Sequence, residues 1–149
     1  MESTIASEQI LQLVTFTLEK EEYAVDILSV QEINRITEIT RVPNAPDYVE
    51  GVINLRGKVI PVVNLRKKFG LDNRETDDSS RVIIMDIQGV TYGLVVDSVS
   101  EVLRIPANIV EPPPPMASSM SSMFIKGIAK LENRLIILID IDKFLGQQG

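Results

Sequence analysis

An internal repeat constrains the fold of this chain more than any other feature of its sequence. The segment 48–70, YVEGVINLRGKVIPVVNLRKKFG, returns 76 residues later as 124–146, FIKGIAKLENRLIILIDIDKFLG. Each copy has two apolar runs around a short polar turn, then a residue suited to cap a helix, Asn64 or Asp140. Gly57 can take the positive φ that a tight hairpin turn requires. The chain is therefore predicted to contain one hairpin–helix unit twice.

A second repeat precedes each hairpin unit. The segments 23–26 and 30–36 correspond to 92–95 and 99–105 at an offset of 69 residues, and the apolar segments 10–18 and 81–87 precede them. Alternation of apolar and polar residues in these segments predicts strands. The polar, acidic stretch 71–80 separates the two halves, and the second half also contains a predicted polyproline linker at Pro112–Pro115.

Each half therefore supplies three strands, a connection, a hairpin and a short helix. Five short strands predict a small closed barrel, because closure removes exposed strand edges. The expected fold class is mainly β: two pseudo-repeated, five-stranded SH3-like barrels packed together, with a few short helices. We expect one domain over residues 1–149. We expect residues 10–70 to form the first barrel and residues 81–146 the second. This expectation allows the first barrel to include a strand or helix exchanged from the C-terminal end of the chain.

Composition removes several classes of function. The sequence has no histidine, cysteine or tryptophan, so it lacks the commonest general base and any thiolate nucleophile or cysteine zinc ligand. A net charge of −6 argues against nucleic acid as a partner. The polar N-terminus does not resemble a signal peptide, and the longest apolar run, Leu135–Ile139, is too short to span a bilayer. We expect a cytoplasmic protein with no direct membrane insertion.

The acidic residues are the best catalytic candidates. A carboxylate-dependent metal hydrolase would use Asp86, Asp97, Asp140 and Asp142, the last two of which could hold a hard cation through oxygen. A structural interpretation is favoured, because Asp140 occupies the cap position and Asp142 the first helical turn, where the helix dipole stabilises anions. No catalytic residue, metal or cofactor is predicted.

The remaining candidates belong to the surface. The run Arg66-Lys67-Lys68 is interpreted as a solvated helix face, and the methionines in 116–123 as loop packing rather than an adaptable binding surface. Arg56 is predicted at the tip of an exposed hairpin, where a guanidinium can bind a carboxylate with two hydrogen bonds. Glu32 is a candidate partner for Arg56, either within the fold or across an interface.

Four segments, VQEINRI, the whole of 48–70, YGLVVDSVSEVLRIP and FIKGIAKLENRLIILIDIDKFL, resemble the CheW family of chemotaxis coupling proteins. The likeness covers residues 10 to 145, and the string GVxNLRGxxxPVxxLRxxFG is highly specific. The same domain occurs in the chemotaxis histidine kinase CheA and in the CheW–receiver fusion CheV. The resemblance implies two SH3-like barrels and no enzymatic activity.

The resemblance also implies partners and binding residues. Such a protein bridges the cytoplasmic helical tips of methyl-accepting chemoreceptors to the regulatory domain of the histidine kinase CheA, within a membrane-associated array. The implied receptor-binding residues are Val30, Glu32, Ile33, Arg56 and Val102, of which the three apolar ones would line a groove between the barrels. The implied kinase-binding residues are Gly51, Asn54, Gly57 and Lys58. The open alternatives are a CheW-like regulatory module of another two-component system and a structural or small-ligand-binding barrel pair.

Overall fold

The computed structural model describes residues 9–72, 75–113 and 124–146, with side chains up to residue 143. The predicted polyproline run extends past the described residues, and the segment 116–123 lies outside them. The strands are β1 Ile10–Leu18, β2 Glu21–Asp26, β3 Val30–Arg35, β4 Val49–Leu55, β5 Lys58–Asn64, β6 Arg81–Ile87, β7 Val90–Val96, β8 Ser98–Pro106, β9 Val110–Glu111, β10 Ile125–Leu131 and β11 Arg134–Ile139. The helices are α1 Leu65–Lys68 and α2 Ile141–Gly146, and 3₁₀ turns cover Ile27–Ser29 and Ala107–Ile109.

The strands form two sheets, which confirms the predicted mainly β fold with two packed SH3-like barrels. The five-stranded barrel has the strand order β3-β6-β7-β5-β4, and the six-stranded barrel has the order β8-β1-β2-β11-β10-β9. The sixth strand, β9, has two residues and pairs with β10 at Ala129 and Ile128. Its counterpart beside β4 is a single bridge between Thr40 and Val52. The two barrels therefore follow one plan.

The barrels exchange strands between the halves of the sequence. The five-stranded barrel takes β3, β4 and β5 from the first half and β6 and β7 from the second, whereas β1 and β2 join the six-stranded barrel. The divisions 10–70 and 81–146 follow the repeat but not the sheets, because the chain crosses between barrels at Ile27–Ser29 and again at Asp97. Periodicity identifies a strand but does not specify which strand pairs with it.

The register of pairing repeats as closely as the strand order. Val62 lies opposite Gly93 in the parallel pair of β5 and β7, and Leu138 lies opposite Ala24 in the parallel pair of β11 and β2. A bulge in β4 before Gly51 recurs in β10 before Gly127. The offsets of 76 and 69 residues read from the sequence are thus structural equivalences.

Three apolar cores hold the molecule together, and residues from both sheets build the largest. That shared core consists of Val14, Phe16, Leu18, Val25, Val63, Leu65, Ile83, Met85, Ile87, Leu94, Val96, Phe124, Ile139 and Ile141. Strand β6 is buried on both faces: Ile83 points into the shared core, while Val82 and Ile84 point into the core of the five-stranded barrel. Side-chain alternation along a strand thus allows one apolar run to serve two cores.

The apolar run Leu135–Ile139 is mostly but not completely buried. Ile136 and Leu138 lie in the core of the six-stranded barrel, and Ile139 lies in the shared core. Leu135, however, is 61% exposed, because it is the second residue of β11 and lies close to the hairpin turn. Its repeat counterpart, Val59, is 69% exposed.

The structure confirms the helix caps predicted at Asn64 and Asp140. The side chain of Asn64 accepts a hydrogen bond of 3.2 Å from the backbone N–H of Lys67, and Asp140 accepts one of the same length from Lys143. Asp26 likewise caps the 3₁₀ turn by accepting from Leu28 at 2.9 Å. Gly70, at φ 78°, follows Phe69, the C-terminal cap residue of α1, and takes the left-handed conformation common just beyond a helix end.

Candidate functional site

The edge strand β3 presents the predicted receptor-binding residues with alternating burial. In the described structure it pairs with β6 and with no other strand, so one side of its backbone is unpaired. Ile33 is 38% exposed, whereas Val30 is partly buried and packs against the shared core. Val102 occupies the equivalent position on β8, the edge of the other barrel, and is 52% exposed. Each barrel therefore offers one exposed apolar residue on its edge strand.

Arg56 and Glu32 form an ion pair within the fold. The turn between β4 and β5 holds Arg56 at φ 51°, and its Nη2 donates a hydrogen bond to Oε2 of Glu32. This hydrogen bond lowers the pKa of Glu32 below its ordinary value. The Arg56 side chain remains 70% exposed, whereas that of Glu32 is 26% exposed. An exposed pair of this kind contributes little to the stability of a fold, and the exposed guanidinium of Arg56 remains accessible to a partner.

The tip of the same hairpin carries the predicted kinase-binding residues. Asn54, Gly57 and Lys58 are exposed, and the side chain of Asn54 accepts a hydrogen bond of 2.9 Å from the backbone N–H of Gly57. That bond fixes the turn in which Arg56 lies. Gly51 is different, because it is buried against the backbone of Thr40 and so shapes the hairpin from within.

Sequence reasoning missed the apolar member of this surface. Val59 directly follows Lys58 on β5, and at 69% exposure it is among the most exposed large apolar residues. Its signal was present in the sequence, since β5 places Ile60 and Val62 in a core and alternation turns Val59 outward. The hairpin surface, defined here as Asn54, Lys58 and Val59, thus combines positive charge with one apolar side chain.

The six-stranded barrel carries a different ion pair at the equivalent place. Arg134 donates two hydrogen bonds to Glu22, at 2.9 and 2.8 Å, and its Nη2 also lies 2.8 Å from Oε2 of Glu101. These contacts lower the pKa of Glu22 and raise that of Arg134. Glu101 is the repeat counterpart of Glu32, and Arg134 is that of Lys58. The guanidinium of Arg134 therefore forms ion pairs with two carboxylates, whereas Arg56 forms one with Glu32 among the described contacts.

The interpretation of Arg66-Lys67-Lys68 as a solvated face is wrong for its first residue. Arg66 is 5% exposed, because α1 turns its side chain toward the crossing between β7 and β8. Its Nε and Nη2 donate to the two carboxylate oxygens of Asp97 at 2.8 and 2.7 Å. The hydrogen bonds with Asp97 raise the pKa of Arg66, so the guanidinium keeps its positive charge although it is buried. The other two are also engaged: Lys67 lies 3.5 Å from Glu50, and Lys68 lies over the ring of Tyr48.

Two of the four acids of the candidate metal hydrolase have structural roles, because Asp97 is bound by Arg66 and Asp140 caps α2. The other two, Asp86 on β6 and Asp142 in α2, are exposed. Among residues 9–72, 75–113 and 124–146, three or more acidic side chains do not gather in a way that could hold a metal ion. Within the same part of the chain, no helix has the length and apolar character needed to cross a bilayer.

Comparison with known proteins agrees with this geometry. The family model described as a CheW-like domain matches residues 12–149. The chain is 39% identical over 147 residues to a chemotaxis protein CheW of Klebsiella aerogenes, covering 98% of this chain and 89% of that protein. It is 36% identical to a CheW of Thermotoga maritima, covering 90% and 87%. The crystal structure of the scaffolding protein TtCheW from Thermoanaerobacter tengcongensis matches with a TM-score of 0.87 and 41% identity, covering 95% of this chain and 96% of that one.

The family model, the chemotaxis relatives and the solved scaffolding protein of the same fold place the chain among the scaffold modules of chemotaxis signalling, a class of protein that is not enzymatic. The binding surfaces of such a module, rather than a reactive group, carry its function. The chain belongs to the CheW family.

Proposed function

We propose that this chain couples the cytoplasmic helical tips of chemoreceptors to the regulatory domain of CheA and so helps to build the signalling array at the membrane. Membership in the CheW family supports chemoreceptors and CheA as the partners. The observation that carries the finer assignment is the position of Arg56. It lies on the exposed hairpin of the five-stranded barrel, yet it contacts Glu32 on the edge strand of that same barrel. One ion pair therefore joins the surfaces assigned to the two partners.

The receptor-binding residues suit a helical partner. Helix-in-groove binding needs an apolar trough with a few charged groups that set orientation. Ile33 and Val102 provide exposed apolar side chains on the edge strands of the two barrels, and Glu32 and Arg56 provide the charges. We therefore assign the receptor tip to the edge strands β3 and β8, which on this proposal border one groove with Val30 at its floor.

The kinase-binding surface is assigned to the hairpin. Lys58 and Val59 follow each other on β5 and both are exposed, so the hairpin offers a partner one positive charge and one apolar side chain. The buried Gly51 supports this surface by allowing β4 to lie against Thr40. Because the hairpin belongs to one barrel alone, kinase binding should not require the groove.

The substitution Arg56→Glu tests the proposal in a reconstituted array of receptor fragment, kinase and this chain. It places two like charges at the position of the present ion pair, so kinase activation should fall at least about tenfold, the size expected for the loss of a charged interface contact. The melting temperature should change little, because the pair is exposed.

The matched control is Lys130→Glu, which makes the same charge change on an exposed residue of the other barrel's hairpin. It should leave kinase activation unchanged. If Arg56→Glu activated the kinase as well as the parent protein does, the assigned surface would be wrong. A fall of the same size with both variants would instead indicate a general effect of charge.

A further inference from the structure

Arg66 lies where three connections of the two barrels meet. Beyond its fork to Asp97, its Nη1 donates to Oε2 of Glu19 at 3.2 Å and to the backbone oxygen of Asp72 at 2.7 Å. Arg66 belongs to the helix after β5 of the five-stranded barrel, and Glu19 belongs to the turn between β1 and β2 of the six-stranded barrel. Asp97 is the residue at which the chain crosses from one barrel to the other. One guanidinium is thus bonded to both barrels and to the crossing.

The carboxylate of Asp97 extends the same cluster. Its Oδ2 also accepts the backbone N–H of Glu19 at 2.9 Å, and its own backbone N–H donates to the carbonyl oxygen of Thr17 at 3.1 Å. Both contacts lie in the six-stranded barrel. The side chains of Arg66 and Asp97 are only 6% and 11% exposed, so water competes little for these bonds.

The polar cluster of Arg66, Asp97 and Glu19 supplies directional contacts between the barrels, which the shared apolar core does not. Apolar burial is non-directional, so side chains of the core tolerate small rotations of one sheet over the other. A guanidinium is planar and holds its five donors in a fixed fork, so its bonds are satisfied in one geometry. Rotation of the barrels would stretch the bonds to Glu19 while leaving those within the five-stranded barrel intact.

We propose that Arg66 is a positioning residue that holds the two barrels in one relative orientation and thereby sets the shape of the groove between β3 and β8. The second part of this inference rests on the proposed function, which assigns the receptor tip to that groove. Receptor binding should therefore depend on Arg66, even though Arg66 is buried and does not contact the receptor. Kinase binding should not depend on Arg66, because it takes place at the hairpin of one barrel.

Electron paramagnetic resonance can measure the orientation directly in the full chain. The sequence has no cysteine, so two spin labels can be placed without background through Lys130→Cys on β10 and Asp86→Cys on β6. Both positions are exposed, and they lie in different barrels. The distance distribution between the labels then reports how firmly the barrels are held.

The test uses a double variant that should remain folded, together with a matched control. Arg66→Met alone leaves Asp97 buried without its partner, which can prevent folding. The double variant Arg66→Met with Asp97→Leu removes both charges and leaves an apolar contact instead. The matched control is Arg134→Met, which breaks ion pairs to Glu22 and Glu101 within the six-stranded barrel alone.

The double variant should fold, give a broader distance distribution than the parent protein and bind a soluble receptor-tip fragment about tenfold more weakly. Its affinity for the kinase regulatory domain should be unchanged, and the control should match the parent in all three measurements. A distribution as narrow as that of the parent would overturn the inference, as would a broadened distribution with unchanged receptor affinity. If the parent protein itself bound no receptor fragment, the proposed function would fail while the distance measurement still decided the role of Arg66 in orientation.

Discussion

Gly51→Ala should be among the most damaging small substitutions in this chain. Gly51 has φ 151°, and a Cβ at this position would lie 2.1 Å from the backbone oxygen of Thr40 and 2.7 Å from its carbonyl carbon. Both contacts are to backbone, so no side chain can rotate away. Strand β4 would have to separate from Thr40, with which it exchanges hydrogen bonds of 2.9 and 2.8 Å through Val52.

The cost can be worked out from these contacts. A non-glycine residue in a sparsely populated backbone conformation costs about 1–3 kcal/mol. Two lost backbone hydrogen bonds cost roughly 1 kcal/mol each. The free energy of unfolding should therefore fall by about 3–5 kcal/mol, which is a large part of the total of about 5–15 kcal/mol typical of a folded domain.

Chemical denaturation followed by circular dichroism measures this loss. Gly57→Ala is the matched control, because Gly57 also has a positive φ, 86°, but a Cβ there meets no atom within 4 Å. That variant should lose only about 1–2 kcal/mol, the cost of the left-handed conformation. The reasoning would be refuted if Gly51→Ala were no more destabilised than Gly57→Ala.

Three further predictions concern the shared core, an ion pair and a helix cap. Ile83→Ala, in the core built by both barrels, should cost about 2–5 kcal/mol, and calorimetry should still show one unfolding transition. Arg134 holds the pKa of Glu22 below its ordinary value of 4.5, so the pair stabilises the protein above that pH and loses this contribution as the pH falls through the lowered pKa. Arg134→Met should therefore flatten the dependence of unfolding free energy on pH in the acidic range. Asn64→Ala removes the cap to Lys67 and should cost about 1–2 kcal/mol in urea denaturation, whereas an unchanged midpoint would show that the cap contributes nothing.

Much of the fold could be predicted because its signals are local. Alternation located the strands, Asn64 and Asp140 marked the helix starts, and the repeat offsets gave the equivalent residues of the two barrels. The strand exchange could not be predicted in this way. The sequence patterns of β1 and β6 are those of ordinary strands of their own halves. Only the long-range pairing of β1 with β8 and of β6 with β3 places each strand in a barrel with strands of the other half.

The candidate surface divides in the same way. The sequence indicates Glu32 as a candidate partner for Arg56, because a strand and a hairpin tip can present opposite charges to each other, and the structure shows this pair. The burial of Arg66 was not predicted. A basic run on a short helix is usually solvated, and only the arrival of Asp97 and Glu19 from elsewhere in the fold makes burial of the cation favourable. Long-range charge pairs leave no periodic trace in a sequence.

Co-sedimentation can test whether this chain links two other proteins through its two adjoining surfaces. Receptor-tip fragments assembled on vesicles are mixed with the kinase regulatory domain, with and without this chain, and spun down. The kinase domain should reach the pellet in quantity only when this chain is present, and Arg56→Glu should abolish this recruitment. Equal amounts of kinase domain in the pellet without the chain would show that the chain does not link the two proteins.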